Sequence, residues 1–93
     1  MFIVMSVHHP HAEYEAELID SMHRFGTAVR GKPGCREIHT LKDEKSGALV
    51  GLAIFESRDA WDRLAPLARA AVADDDFDLW EEVEPEGYVL TEV

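Results

Sequence analysis

The 93-residue sequence has little cysteine, few basic residues and no long apolar run. Its single cysteine, Cys35, excludes an intrachain disulfide framework and a cysteine-based zinc site. The chain has 9 Lys and Arg residues against 19 Asp and Glu, and the resulting net charge of −10 disfavours nucleic acid and anionic membranes as partners. No apolar run approaches the roughly 20 residues of a membrane span, and the N-terminus does not resemble a signal peptide. We therefore expect a cytoplasmic protein.

The residues that are present indicate a small folded domain. Apolar residues make up 46% of the sequence, which is too many for a disordered acidic segment. A length of 93 residues fits one domain with a thin core, spanning residues 1–93.

The spacing of apolar residues predicts four strands and two long helices. In the first helix, Leu18, Met22, Phe25 and Val29 form one apolar stripe, and Ser57 is a suitable N-cap for the second helix. The predicted order is strand, helix, strand, strand, helix, strand, over residues 2–7, 12–30, 35–42, 48–56, 58 onward and 88–93.

The second helix carries a proline and is followed by an acidic break. Pro66 lies too deep for a first turn, so we expect the helix to kink or restart there. Residues 74–76 predict a break, and residues 76–80 a further short helical turn.

This order of elements predicts an α+β fold, the ferredoxin-like sandwich, in which helices cover one face of a four-stranded antiparallel sheet. The other face would carry apolar residues of the first and third strands. A large apolar sheet face is rarely left bare. We therefore expect a homodimer that packs sheet to sheet with two-fold symmetry.

Three short motifs mark the joints between the predicted elements. The first strand ends near Pro10 before an acidic amphipathic helix, which is followed by Lys32-Pro33-Gly34-Cys35. Phe55-Glu56-Ser57 joins the third strand to the second helix. Together these motifs resemble the antibiotic biosynthesis monooxygenase family. The resemblance implies a dimeric α/β barrel with its pocket between the helices and the covered sheet face.

The resemblance also implies a function. The family includes cofactor-free oxygenases of polycyclic aromatic substrates, haem-degrading enzymes and quinol oxygenases. We expect a cofactor-independent monooxygenase that acts on a small aromatic or quinone-like substrate. The alternative is a non-catalytic dimeric protein that binds a small molecule. Haem degradation is not expected, because all five histidines precede the second helix region, which supplies the axial histidine in the haem-degrading relatives.

Two histidines are candidate catalytic bases. An unperturbed histidine, with a pKa of about 6.5, suits proton abstraction near neutral pH. His39 shares a predicted strand face with Cys35, Glu37 and Leu41, and it reaches the pocket if that face turns to the helices. His23 lies on the flank of the apolar helix stripe. The alternative for both is a boundary histidine with an ordinary hydrogen bond.

The run His8-His9-Pro10-His11 is the most conspicuous local feature. His8 and His9 point to opposite faces of a regular strand, so they cannot both bind one metal ion. We favour a surface loop, with one histidine reaching the pocket as the alternative, and we expect no metal site.

The remaining candidates concern ligand binding. Trp61, Phe55 and Tyr88 are candidates to enclose a planar ligand, and Tyr88 or Arg36 to donate a hydrogen bond to an anionic intermediate. Core packing is the alternative for the aromatic residues.

Cys35 is better explained as a small buried residue than as a reactive thiol. The eight acids within residues 74–86 fit a solvated surface better than a cation site.

Overall fold

A computed structural model describes all 93 residues as one four-stranded antiparallel sheet with helices on one face. The elements are β1 (Phe2–His8), a 3-10 turn (Ala12–Tyr14), α1 (Glu15–Val29), β2 (Cys35–Lys42), β3 (Leu49–Phe55), α2 (Arg58–Ala71), α3 (Phe77–Trp80) and β4 (Glu86–Thr91). The strands lie in the order β2-β3-β1-β4. The predicted ferredoxin-like α+β fold is confirmed, and the sheet of the single chain is open rather than closed into a barrel.

Local sequence explains how α2 is joined to its neighbours. The Ser57 hydroxyl caps α2 by accepting a hydrogen bond from the backbone N–H of Ala60 at 3.1 Å. In the loop before β2, Gly34 has a φ of +92°, a conformation that favours glycine. A Cβ at Gly34 would lie 2.6 Å from the Cβ of Ala60. This glycine therefore allows the loop to pack directly against α2.

α2 is a single helix with Pro66 inside it, so of the two expected alternatives, a kink or a restart, the restart does not occur. Pro66 is exposed, whereas Ala60, Leu64 and Ala68 on the opposite side are buried against the sheet. Burial of this stripe on both sides of the proline holds the two halves in one helix despite the missing hydrogen bond. Neither α2 nor any other helix combines the length and apolar composition needed to cross a bilayer.

The apolar core lies between the helices and the covered sheet face. Phe2 of β1 pairs with Phe55 of β3, and both are almost completely buried. The buried stripe of α2 packs against them, and Val29 closes the core from α1. The core therefore occupies one end of the helix–sheet interface.

β4 begins two residues earlier than predicted. Glu86 already pairs with Val7 of β1, and the strand ends at Thr91 rather than at Val93. The predicted turn at residues 85–87 is thus partly strand, because the ladder with β1 starts as soon as the backbone after Pro85 is free to pair.

The second sheet face carries apolar side chains and no helix. Strand alternation and the pairing register place nine apolar residues there. They are Ile3, Met5, Val7, Leu41, Val50, Leu52, Ile54, Tyr88 and Leu90. The expectation of apolar residues from the first and third strands on this face is confirmed.

Candidate functional site

A cavity of about 320 Å³ lies between the covered sheet face and the helices. Most of its lining is apolar, and a few polar side chains converge on it, which is the usual form of a small-molecule site. The apolar lining includes Val4, Met22, Phe25, Ile38, Trp61, Val72 and Phe77, and the polar lining includes Ser6, His8, Ser21, Thr40 and Arg69.

Aromatic rings form one wall of the cavity. The ring centroid of Trp61 lies 6.3 Å from that of Phe25 and 5.1 Å from that of Phe55. Phe55 is fully buried and supports Trp61 from the core. The guanidinium of Arg69 lies 5.7 Å from the centroid of the Trp61 ring. Of the predicted ligand-binding residues, the structure brings Trp61 and Phe55 together and places Trp61 at the cavity.

His8 is the histidine that reaches the cavity with its side chain, which is 12% exposed. Its Nδ1 lies 2.9 Å from Oε1 of Glu81, and its Nε2 lies 2.8 Å from the hydroxyl of Ser6. An ionised carboxylate can only accept, so this network assigns the proton to Nδ1 of His8. Nε2 then accepts a hydrogen bond from the Ser6 hydroxyl and is the basic nitrogen.

Glu81 is a buried acid, with a side chain that is 2% exposed. Its second oxygen, Oε2, is buried without a hydrogen-bond partner. Backbone hydrogen bonds hold this segment beside the end of β1: His11 N–H donates to the Trp80 carbonyl, and Glu82 N–H donates to the His9 carbonyl, both at 2.8 Å. The carboxylate of Glu81 is therefore fixed against the His8 ring.

A second polar cluster joins the segment after α2 to α1 through side-chain hydrogen bonds. The carboxylate of Asp75 accepts hydrogen bonds from the buried Ser21 hydroxyl at 2.6 Å and from the Arg24 guanidinium at 2.9 Å. The Ser21 hydrogen bond, followed by Arg24, lowers the pKa of Asp75 below its ordinary value. This cluster holds Val72 and Phe77 at the end of the cavity.

His39 is one of the residues that line the cavity, but its imidazole ring does not point into it. A β-bulge between Cys35 and Glu37 breaks the alternation of β2: Cys35 pairs with Phe55 on the covered face, whereas Glu37 lies on the open face. Although β2 passes along the cavity here, its register puts the His39 ring on the open face, where Nε2 lies 3.0 Å from Oε1 of Glu37.

The other predicted polar residues, His23, Arg36 and Tyr88, do not line the cavity. His23 is exposed on α1 and borders a smaller polar surface pocket, and Arg36 is exposed at the bulge. The Tyr88 hydroxyl lies on the open face and donates to Glu86, a hydrogen bond that raises the pKa of Tyr88. Burial raises the pKa of the Cys35 thiol, in agreement with its interpretation as a small apolar residue rather than a reactive thiol.

The surface-loop interpretation of the histidine run was wrong for His8. Strand alternation places His8 on the same face as Phe2 and Val4, a signal that could have identified it. No sequence pattern indicated that Glu81 would contact His8, because the two residues are 73 positions apart. Arg69 was likewise missed, since its helix position alone does not show that it borders the cavity.

The model of the antibiotic biosynthesis monooxygenase family matches residues 1–65. No protein of curated function matches the sequence at a significant level.

Several solved structures share the fold. Rv0793 from Mycobacterium tuberculosis is 21% identical with a TM-score of 0.82, and the match covers 99% of this chain and 94% of that one. PA3566 from Pseudomonas aeruginosa is 10% identical with a TM-score of 0.81, covering 99% and 93%. A protein from Caulobacter crescentus that carries the family's name is 19% identical with a TM-score of 0.81, covering 99% and 89%. At these identities the matches show the shared fold.

Proposed function

We propose that this chain, which belongs to the antibiotic biosynthesis monooxygenase family, is a cofactor-independent monooxygenase of small phenols, hydroquinones or related aromatic substrates. One observation carries the proposal: the imidazole of His8 lies in an apolar cavity and is held there by the buried carboxylate of Glu81. An oriented imidazole next to an apolar binding space is the arrangement required for general base catalysis.

The first step is removal of a proton from the substrate. The substrate hydroxyl takes the place of Ser6 at Nε2 of His8, and this nitrogen accepts the proton. Glu81 keeps the ring oriented, and its negative charge lies beside the imidazolium that forms. The substrate becomes a phenolate or enolate, which is electron-rich enough to reduce dioxygen.

The anion then requires a positive partner in a chain of net charge −10. Arg69 provides it, because its guanidinium borders the cavity over the ring of Trp61 rather than pairing with an acidic side chain. The acids of residues 74–86 that face solvent are screened over about 8–10 Å in physiological salt. The charge that lines the cavity therefore outweighs the more distant negative charge.

Oxygen transfer needs no further redox group. The bound anion gives one electron to dioxygen, and the resulting radical and superoxide combine to form a peroxide anion, which takes back the proton held on Nε2 of His8. Loss of water from the peroxide leaves a new carbonyl, so the substrate loses two hydrogens and gains one oxygen atom. The walls formed by Phe25 and Trp61 keep bulk water away from the anion during these steps.

We also propose that two chains pack through their open sheet faces to form the dimeric barrel. Nine apolar side chains lie on this face, and no helix of the same chain covers them. Leu41, near the edge of the sheet, is 46% exposed in the single chain. Burial of such a face against a second copy removes apolar area from water and closes the layered structure.

The proposed activity is tested by oxygen consumption. The purified protein is mixed with a panel of hydroquinones and anthrone-like compounds in an oxygen electrode, after metal chelation, and the products are identified by mass spectrometry with isotopically labelled dioxygen. We expect enzyme-dependent uptake that is equimolar with product, and one labelled oxygen atom in the product. Tight binding of these compounds without uptake above background would contradict the proposal.

A further inference from the structure

Ser6, His8 and Glu81 form a continuous chain of hydrogen-bonding groups. The Ser6 hydroxyl lies 2.8 Å from Nε2 of His8, and Nδ1 of His8 lies 2.9 Å from Oε1 of Glu81. This is the order of nucleophile, base and carboxylate that activates serine in acyl-transfer enzymes, and such a triad is recognised by geometry and not by sequence position. The oxygenase mechanism assigns no covalent role to the Ser6 hydroxyl.

The carboxylate is arranged to act on the imidazole alone. Glu81 has one oxygen on Nδ1 of His8 and one buried oxygen with no hydrogen-bond partner. No other donor competes for the charge of this acid. When Nε2 takes a proton from Ser6, the imidazolium forms directly beside a buried negative charge, which stabilises it.

The Ser6 hydroxyl is also open to a ligand. Ser6 lines the apolar cavity, and Gly51 is its partner on the neighbouring strand. A Cβ at Gly51 would lie 2.8 Å from the Ser6 hydroxyl oxygen, closer than real Cβ contacts allow. The glycine thus avoids a clash with the hydroxyl, and the terminal methyl of Met22 borders the same space, 3.4 Å from the position of that Cβ. Thr40 pairs with Gly51 from the other side and lines the same cavity.

We propose that Ser6 is a nucleophile that accepts the acyl group of small esters with apolar or aromatic acyl chains. Its oxygen bonds to the ester carbonyl carbon while its proton moves to Nε2 of His8. The ester C–O bond then breaks, and the leaving alcohol takes that proton. Water, deprotonated by His8, next attacks the acyl-serine, which releases the carboxylic acid and restores the Ser6 hydroxyl. No redox partner is involved, so this activity is measurable without dioxygen, although it uses the same His8 and Glu81 as the proposed oxygenase.

The test is covalent labelling of the unmodified protein under anaerobic conditions. Excess phenylmethanesulfonyl fluoride and p-nitrophenyl butyrate serve as probes, and intact mass and peptide mapping locate the adduct. We expect one adduct, on Ser6, while Ser21, Ser46 and Ser57 stay unmodified as internal controls. No adduct, or an adduct on His8 instead of Ser6, would overturn the proposal.

Two variants supply a kinetic test of the same proposal. Ser6→Ala should abolish release of p-nitrophenol above the background rate, and Glu81→Gln should lower it by about 10⁴-fold, because the carboxylate fixes the tautomer of the base. Circular dichroism checks that each variant is folded. The labelling experiment uses the unmodified protein, so it tests the proposal even if a variant does not fold. Unchanged ester hydrolysis by folded Ser6→Ala would show that Ser6 is not the nucleophile. Oxygen uptake is measured separately, so failure of one activity is distinguishable from failure of the other.

Discussion

At the scale of single residues, Asp75 links the end of the cavity to α1. It accepts hydrogen bonds from Ser21 and Arg24, and these lower its pKa in the folded state. A carboxyl whose pKa is lower when folded stabilises the protein above its unfolded pKa of about 3.9, and this contribution disappears as the pH falls through the folded value. Asp75→Ala should therefore lower the free energy of unfolding by about 1–2 kcal/mol at pH 7.

The pH dependence separates this contribution from a general charge effect. The difference between Asp75→Ala and the unmodified protein, measured by urea denaturation, should shrink as the pH falls below about 4. Asp74→Ala is the matched control, because it removes the same charge from an exposed neighbour that makes no side-chain hydrogen bond. Equal destabilisation by the two variants at pH 7 would contradict a specific role for Asp75.

His8 and His39 show how far site residues can be predicted from the sequence. Simple alternation along β1 places His8 on the covered face, and the structure agrees. The same alternation fails for His39, because the bulge inserts Arg36 and moves Glu37 to the other face. No residue pattern marks that bulge. Contact with Glu81 depends on the tertiary fold, so the buried hydrogen bond between His8 and Glu81 could not be predicted either.

At the scale of elements, Gly26 sets the distance between α1 and β2. A Cβ at this position would lie 2.6 Å from Cγ2 of Ile38. Alanine is favoured over glycine inside a helix by about 1 kcal/mol, but this contact costs more, since overpacking costs about 1–3 kcal/mol. We expect Gly26→Ala to destabilise the protein in thermal and urea denaturation, whereas the exposed control Thr27→Ala has little effect.

A double mutant isolates the contact. If Gly26→Ala acts by pressing on Ile38, combining it with Ile38→Ala should cost less than the sum of the two single changes, with a coupling of about 0.5–3 kcal/mol. If the losses in unfolding free energy are strictly additive, or if Gly26→Ala alone stabilises the protein, then this contact does not set the position of α1.

Most elements were predictable because their signals are local. The stripe of α1, the Ser57 cap and the glycine-containing stop before β2 each act within a few residues, and the end of α1 and the starts of β2 and α2 agree with the structure. The start of α1 does not, because residues 12–14 form a 3-10 turn and the helix begins at Glu15. The behaviour of α2 at Pro66 was not predictable in this way. Its continuity comes from burial of Leu64 and Ala68 on the sheet, a tertiary effect that overrides the local preference.

At the scale of the whole molecule, a substitution on the open sheet face tests the proposed dimer. The register places Val50 on this face and Leu49, which is 1% exposed, on the covered face. Val50→Asp should convert a species of twice 10.5 kDa into a folded monomer in light scattering and increase the binding of an apolar dye.

Leu49→Asp is the contrasting variant. It places a charge in the core and should unfold the chain, as observed by circular dichroism, without yielding a folded monomer. A monomeric unmodified protein at micromolar concentration, or a Val50→Asp variant that remains a dimer, would contradict the proposed interface.

In the proposed oxygenase, His8 is the base and Glu81 holds it in the cavity. The most direct measurement compares kcat/KM for oxygen uptake among His8→Asn, His23→Gln and His39→Gln, with the substrate that gives the fastest uptake. General base catalysis contributes about 10²–10⁴-fold, so His8→Asn should lose at least about 10²-fold, while His23→Gln and His39→Gln should stay within about twofold. Full activity in a folded His8→Asn variant, with loss of activity in His23→Gln or His39→Gln, would show that His8 is not the base.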